Sequence, residues 1–245
     1  MDRRQLLLGA ALPALSPGMA AGSEGGSETM SSFESGGRRI ATEWFPAGAP
    51  AGESARPALL LLHGADGLAY NGDRYRLAAG LVAASGYHVA LVHYLDRTSD
   101  RRVDYGSLRQ DYPLWAETVR DGVSWLGRQP GVAEGRLGLV GVSLGGALAL
   151  SVAAVDRRVK AVVEYSGPVP EDLPGSGANL PPTLVLHGEA DRIVPASHAR
   201  RLERLLAADG TPHDVRIYPG EGHTLSGASQ FDAASRVAAF LAQHL

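Results

Sequence analysis

The chain has 245 residues and a formal net charge of −3, with 44% hydrophobic and 20% charged residues. That profile suits a folded domain with a sizeable core, and its scattered arginines form no basic stripe, so no nucleic-acid partner is expected. Cysteine is absent, which removes disulfides, thiolate metal sites and any cysteine nucleophile together.

The first residues, Met1-Asp2-Arg3-Arg4, are charged, and an apolar stretch from Leu6 to Leu12 follows, broken only by Gly9. Small residues around Met19-Ala20-Ala21 complete the order of an export signal, and Arg3-Arg4 resembles a twin-arginine leader. Residues 1–22 are therefore expected to be a removable signal that engages the export machinery and delivers a periplasmic or secreted protein. Pro13 and Pro17 stop the apolar run well short of the ~20 residues a membrane span needs, so no stable membrane anchor is expected after cleavage. Residues 23–32, rich in Gly, Ser and Glu, are expected to be a flexible linker. A single domain over 33–245 should follow.

Within that domain, Arg38 to Phe45 alternates as an edge strand would, with room for a short strand before it that ends at Ser35-Gly36-Gly37. Leu59-Leu60-Leu61-Leu62 is a continuous apolar run, the mark of a strand buried on both faces. Helix and strand signals then alternate: helix over Tyr75–Ala84, strand over Tyr87–His93, helix over Leu114–Arg128 and strand over Arg136–Val142. Helix over Leu144–Ala154 and strands over Val159–Tyr165 and Thr183–His187 come next. A helix over Ala196–Ala208, a strand over His213–Tyr218 and a closing helix over Ser229–Leu245 complete the series. Such alternation predicts an α/β fold with a mainly parallel sheet of about seven to eight strands, helices on both faces and right-handed crossovers. Ser166–Pro182 is a Pro/Gly-rich loop too short for a separate lid domain, and Asp96–Tyr112 is a second extended loop placed to cover part of a pocket.

In an open parallel sheet, reactive groups gather just beyond the carboxyl ends of the strands. Three do so here. Ser143 lies in Gly141-Val142-Ser143-Leu144-Gly145, a G-x-S-x-G pattern at a strand-to-helix junction that lifts the serine to the tip of a tight turn. Asp191 follows the strand ending at His187, and His223 follows the strand ending at Tyr218. The chain order Ser, Asp, His is that of α/β-hydrolases. A serine hydroxyl needs a base to take its proton as it attacks, histidine titrates near neutrality, and an aspartate can fix the histidine tautomer. Asp191 is preferred to Glu189 because the turn before Pro195 places it at the loop tip. For the oxyanion, the expected donors are the backbone N–H groups of Leu144 and of Ala65 in the loop His63-Gly64-Ala65-Asp66-Gly67. His63, His187 and His223 have no helical ligand spacing, so no metal is expected.

These stretches resemble the dienelactone hydrolase family of α/β-hydrolases, above all Gly138–Ala147, His187-Gly188-Glu189-Ala190-Asp191 with Val194-Pro195, and Gly220-Glu221-Gly222-His223. The resemblance runs from about Phe33 to the C-terminus. It implies the α/β-hydrolase fold, no cofactor, and hydrolysis of small-molecule esters or lactones. Three departures are informative. The family's founding members use a cysteine nucleophile where Ser143 stands, and a thiol-controlling glutamate where Gly64 stands. Of their two arginines that grip the lactone carboxylate, Arg97 aligns with one, and Gly227 stands near the other. The resemblance thus makes Arg97 a candidate substrate-binding residue and favours a plain serine esterase. A peptidase or acyltransferase on the same triad, or a binding protein without catalysis, is the alternative.

Overall fold

The computed structural model describes residues 28–48, 55–171, 173 and 179–245. The expected signal over 1–22 and most of the expected linker lie outside these residues. Eight strands form one sheet: β1 (Thr29–Ser35), β2 (Arg38–Phe45), β3 (Arg56–Leu62), β4 (His88–Val92), β5 (Val132–Val142), β6 (Val159–Tyr165), β7 (Thr183–Gly188) and β8 (His213–Tyr218). Their spatial order is β1-β2-β4-β3-β5-β6-β7-β8. Strands β3 to β8 are mutually parallel, while β1 and β2 join as an antiparallel hairpin at the edge. This is the expected α/β-hydrolase architecture.

The linker expectation is corrected at its end, because Thr29 to Ser32 pair in register with Trp44 to Ala41. Their Ser-rich composition reads as linker, yet an antiparallel partner already committed to the sheet edge recruits them. A second correction concerns α2, which runs from Leu108 to Leu126 with Pro113 inside it. The expected helix began at Leu114, one residue after Pro113, which removes one N–H and crowds the preceding turn. Burial of Trp115, Val119 and Val123 against the sheet offsets that local cost.

Helices α1 (Gly72–Ala84) and α5 (Gly227–His244) cover one face of the sheet. The other face carries α2, α3 (Leu144–Val155) and α4 (Ser197–Ala208). Side chains alternate between these faces along each strand. Leu60, Leu62, Leu139, Val162 and Val185 therefore meet the α2-α3-α4 layer, while Leu59, Leu61, Val140, Val163 and Leu184 meet α1 and α5. Helix α3 is apolar around its whole circumference and almost wholly buried, so its N-terminus is rigidly placed against the ends of β3 and β5.

One charge is buried in this frame with full partners. Glu43 on β2 receives Arg76 through Nε at 2.7 Å and Nη2 at 2.8 Å, and His93 Nε2 at 2.8 Å. Burial pushes its carboxyl up, but these donors outweigh that and hold it at about 2.

Candidate active site

The turn after β5 is built by close approach. Adding a Cβ to Gly145 would drive it into the carbonyl oxygens of Leu62 and His63, the latter at 2.6 Å, and one at Gly141 would meet the Gly145 carbonyl and the Gly146 nitrogen. Only glycine allows α3 to start this near the strand ends. Between them Ser143 takes φ 54° and ψ −118°, a backbone state that L side chains rarely adopt and that costs about 1–3 kcal/mol. The N–H of Ser143 donates to the Tyr165 carbonyl at 2.8 Å, and its own carbonyl accepts from Gly146 at 2.9 Å and Ala147 at 3.2 Å. The serine is half-buried at the carboxyl edge of the sheet, at the positive end of α3.

The acid and the histidine come together at the same edge. Asp191 Oδ2 lies 2.7 Å from His223 Nδ1. A carboxylate only accepts, so that nitrogen carries the hydrogen and Nε2 is left as an acceptor. The other oxygen, Oδ1, accepts the N–H groups of Ile193 at 2.8 Å and Val194 at 2.9 Å. Burial pushes the Asp191 carboxyl up, but bonds from His187, His223 and Val194 overcome it and hold it well below the usual carboxylate range. The His223 loop is tied to the serine turn through Tyr165: its hydroxyl receives the Leu225 N–H at 3.2 Å, while its carbonyl holds Ser143. Gly188 lets the two loops meet, since a Cβ there would strike the carbonyls of Gly222 and Glu221. Glu189, the competing acid, is exposed and lies 3.3 Å from Arg200.

The loop after β3 lies beside the serine. A Cβ on Gly64 would sit 3.5 Å from Ser143 Cβ. The Gly64 N–H is already taken by the Tyr75 hydroxyl at 3.0 Å. The Ala65 carbonyl receives Val103, which pins the loop at 2.8 Å and leaves the Ala65 N–H as the next donor along it. Leu144 is the first residue of α3, and its N–H has no carbonyl one turn back within the helix.

Arg97, the candidate substrate-binding residue, is engaged by the β1–β2 hairpin and α2. It ends a short 3-10 turn, Tyr94–Arg97, and donates to the Ser35 carbonyl at 3.1 Å, the Gly36 carbonyl at 2.6 Å and Glu117 at 2.8 Å. Its guanidinium clamps the β1–β2 hairpin to α2. The β1–β2 hairpin brings carbonyl acceptors within its reach, which no local pattern around Arg97 announces. A nearby cleft of about 280 Å³ is lined instead by His63, Gly67, Leu68, His93, Leu95 and Arg101. His63 itself is buried, stacks on Tyr94 and bonds the Gly64 carbonyl at 2.8 Å. Burial lowers it to about 4, which keeps it neutral. Trp115 is core, its Nε1 donating to Thr98 at 3.0 Å. The sequence reading passed over Glu164, a fully buried acid on β6 directly beneath the serine turn. A charged residue inside the apolar run Val159–Tyr165 is the signal that pointed to it.

The sequence profile of the dienelactone hydrolase family matches residues 47–243. Among solved structures, a dienelactone hydrolase from Anabaena variabilis superposes with a TM-score of 0.70 at 22% identity, covering 89% of this chain and 98% of that one. A dienelactone hydrolase-like promiscuous phosphotriesterase from metagenomic libraries gives 0.73 at 18% identity, covering 89% and 98%. Dipeptidyl peptidase 4 of Porphyromonas gingivalis gives 0.72 at 16% identity, with 90% of this chain matching 36% of that longer one. At such identities the likeness is one of fold. A search of curated proteins by sequence finds no match.

Proposed function

Because the chain belongs to the dienelactone hydrolase family and is thus a hydrolase, we propose that it cleaves carboxylic esters or lactones through an acyl-enzyme on Ser143. His223 Nε2 takes the Ser143 proton as Oγ attacks the carbonyl carbon. Asp191 holds the ring in the required tautomer and stabilises the imidazolium that forms. The oxyanion is received by the N–H groups of Leu144 and Ala65, each worth roughly 3 kcal/mol in the transition state. The imidazolium then protonates the departing alcohol, and a water activated by the same ring releases the acid. The 2.7 Å contact between Asp191 and His223, at the same sheet edge as the strained Ser143, carries this reading.

A fluorophosphonate probe tests it: labelling should fall on Ser143 in folded protein and vanish in Ser143→Ala. Absence of labelling in the wild type would sink the reading in favour of a binding protein. Short-chain p-nitrophenyl esters and lactones should turn over faster than peptide amides, and the reverse ranking would make the chain a peptidase. The leader at Arg3-Arg4 is proposed to direct export, so replacing both arginines with lysine should retain the precursor in the cytoplasm.

A further inference from the structure

The turn that carries the proposed Ala65 donor also carries a carboxylate on the serine's side. Residues Gly64 to Gly67 close on themselves, the Gly67 N–H donating to the Gly64 carbonyl at 3.1 Å. Neighbours hold this turn from both flanks. The Ala65 carbonyl takes the Val103 N–H at 2.8 Å, and Gly67, at φ 68°, has the Arg101 carbonyl where a Cβ would stand. Asp66 therefore projects from a fixed base.

Its half-buried side chain is oriented as well. Oδ2 accepts the side-chain amide of Asn71, the residue before α1. Oδ1 accepts no hydrogen bond among the described residues, and no ion pair joins Asp66 to a cation there. A Cβ built on Gly64 would lie 3.1 Å from this unengaged oxygen, 3.5 Å from Ser143 Cβ and 3.7 Å from the Tyr75 hydroxyl. The carboxylate and the nucleophile thus flank one side of Gly64, and because that residue is glycine it puts no side chain between them. Tyr75 stays neutral beside them, since burial first and then the Asp66 charge push its phenol up.

We infer that Asp66 is a specificity-determining residue that selects esters carrying an ammonium group beside the carbonyl, the amino-acyl ester class, and disfavours those carrying a carboxylate there. The inference rests on the catalytic reading of Ser143, Asp191 and His223. A tetrahedral intermediate on Ser143 places a negative oxygen at the Ala65 N–H, one residue along the chain from Asp66. The Asp66 charge opposes that oxygen, and partial shielding from water strengthens the repulsion. A substrate ammonium is attracted to both negative groups and offsets it. A neutral substrate leaves the repulsion standing, and a substrate carboxylate adds to it. Because the turn and Asn71 already hold Asp66 in place, little ordering is needed when the ammonium arrives. The cation beside this turn is Arg101, whose exposed side chain lines the cleft along Gly67 and Leu68.

Three methyl esters of one skeleton test the inference. Alanine methyl ester carries the ammonium, methyl isobutyrate is its neutral isostere, and monomethyl methylmalonate carries a carboxylate on the same carbon. Asp66→Asn keeps an acceptor for Asn71 and removes the charge. Near neutral pH the variant should lose about tenfold in kcat/KM on the ammonium ester, gain about twofold on the neutral one and gain about tenfold on the anionic one. An equal loss on all three would make Asp66 a structural loop residue and overturn the inference. A wild type that turns over the anionic ester faster than the neutral one would assign the choice to Arg101, with the same consequence. If Asp66→Asn does not fold, salt decides in the wild type: higher ionic strength should narrow the ratio of ammonium to anionic ester. A ratio indifferent to salt would overturn the inference. Failure of the catalytic reading looks different. The wild type then neither labels at Ser143 with a fluorophosphonate nor hydrolyses any of the three esters, and the inference falls with it.

Discussion

The turns after β5 and β6 use one backbone device for opposite ends. Ser143 and Ser166 each follow a parallel strand, take positive φ of 54° and 52°, and donate their N–H to the neighbouring strand, to Tyr165 and Leu186, at 2.8 Å. Around Ser143, glycines at 141 and 145 bring α3 close and leave the hydroxyl half-buried at the sheet edge. Around Ser166 the chain runs on into a loop, and its hydroxyl is fully buried without a partner among the described residues. A strained serine at a strand end is therefore not sufficient for a nucleophile. Access and a helix N-terminus distinguish the first from the second.

That contrast can be broken from either side. Ser143→Gly should cut kcat/KM for short-chain esters by about 10⁴-fold or more, because the remaining members cannot act without the nucleophile. The same change should raise stability by about 1 kcal/mol, since glycine accepts positive φ freely, and thermal unfolding would show it. Asp191→Asn should cost about 10³–10⁴-fold in turnover by leaving the His223 tautomer unfixed. Glu189 cannot take over while it is turned toward Arg200, so a loss under tenfold would show that the acid is shared.

Gly145→Ala probes the scaffold of the first turn. Its methyl group would strike the Leu62 and His63 carbonyls, so the variant should lose about 3 kcal/mol of stability in denaturant unfolding, with activity falling in step. Ser166→Gly is the matching control on the second turn. It should gain about 1 kcal/mol by relieving both positive φ and an unpaired buried hydroxyl, with turnover changed less than threefold. If Ser166→Gly abolished activity instead, the two turns would not be separable in the way their geometry suggests.

The legible parts of the chain were those with local causes. Strands β2, β6 and β8 were placed to the residue, because alternating or continuous apolar runs between turn residues have few other readings. Ser143, Asp191 and His223 were legible because each follows a strand and all fall on one sheet edge. Misreadings arose where distant contacts overrule local signals. Thr29 to Ser32 join a sheet edge whose partner strand is nine or more residues away, and α2 continues through Pro113 on the strength of its buried face.

The sequence by itself determined the family, the parallel sheet and the order of the three reactive residues, because periodicity, turn chemistry and chain order are properties of neighbours along the chain. Only the tertiary structure decided what each polar side chain faces. It turned Arg97 into a clamp on the hairpin, gave Asp191 two histidines in place of one, and set Glu164 beneath the serine turn with an unpaired oxygen. Those outcomes depend on burial and on partners from strands far apart in sequence, and these fix where a charge can reside.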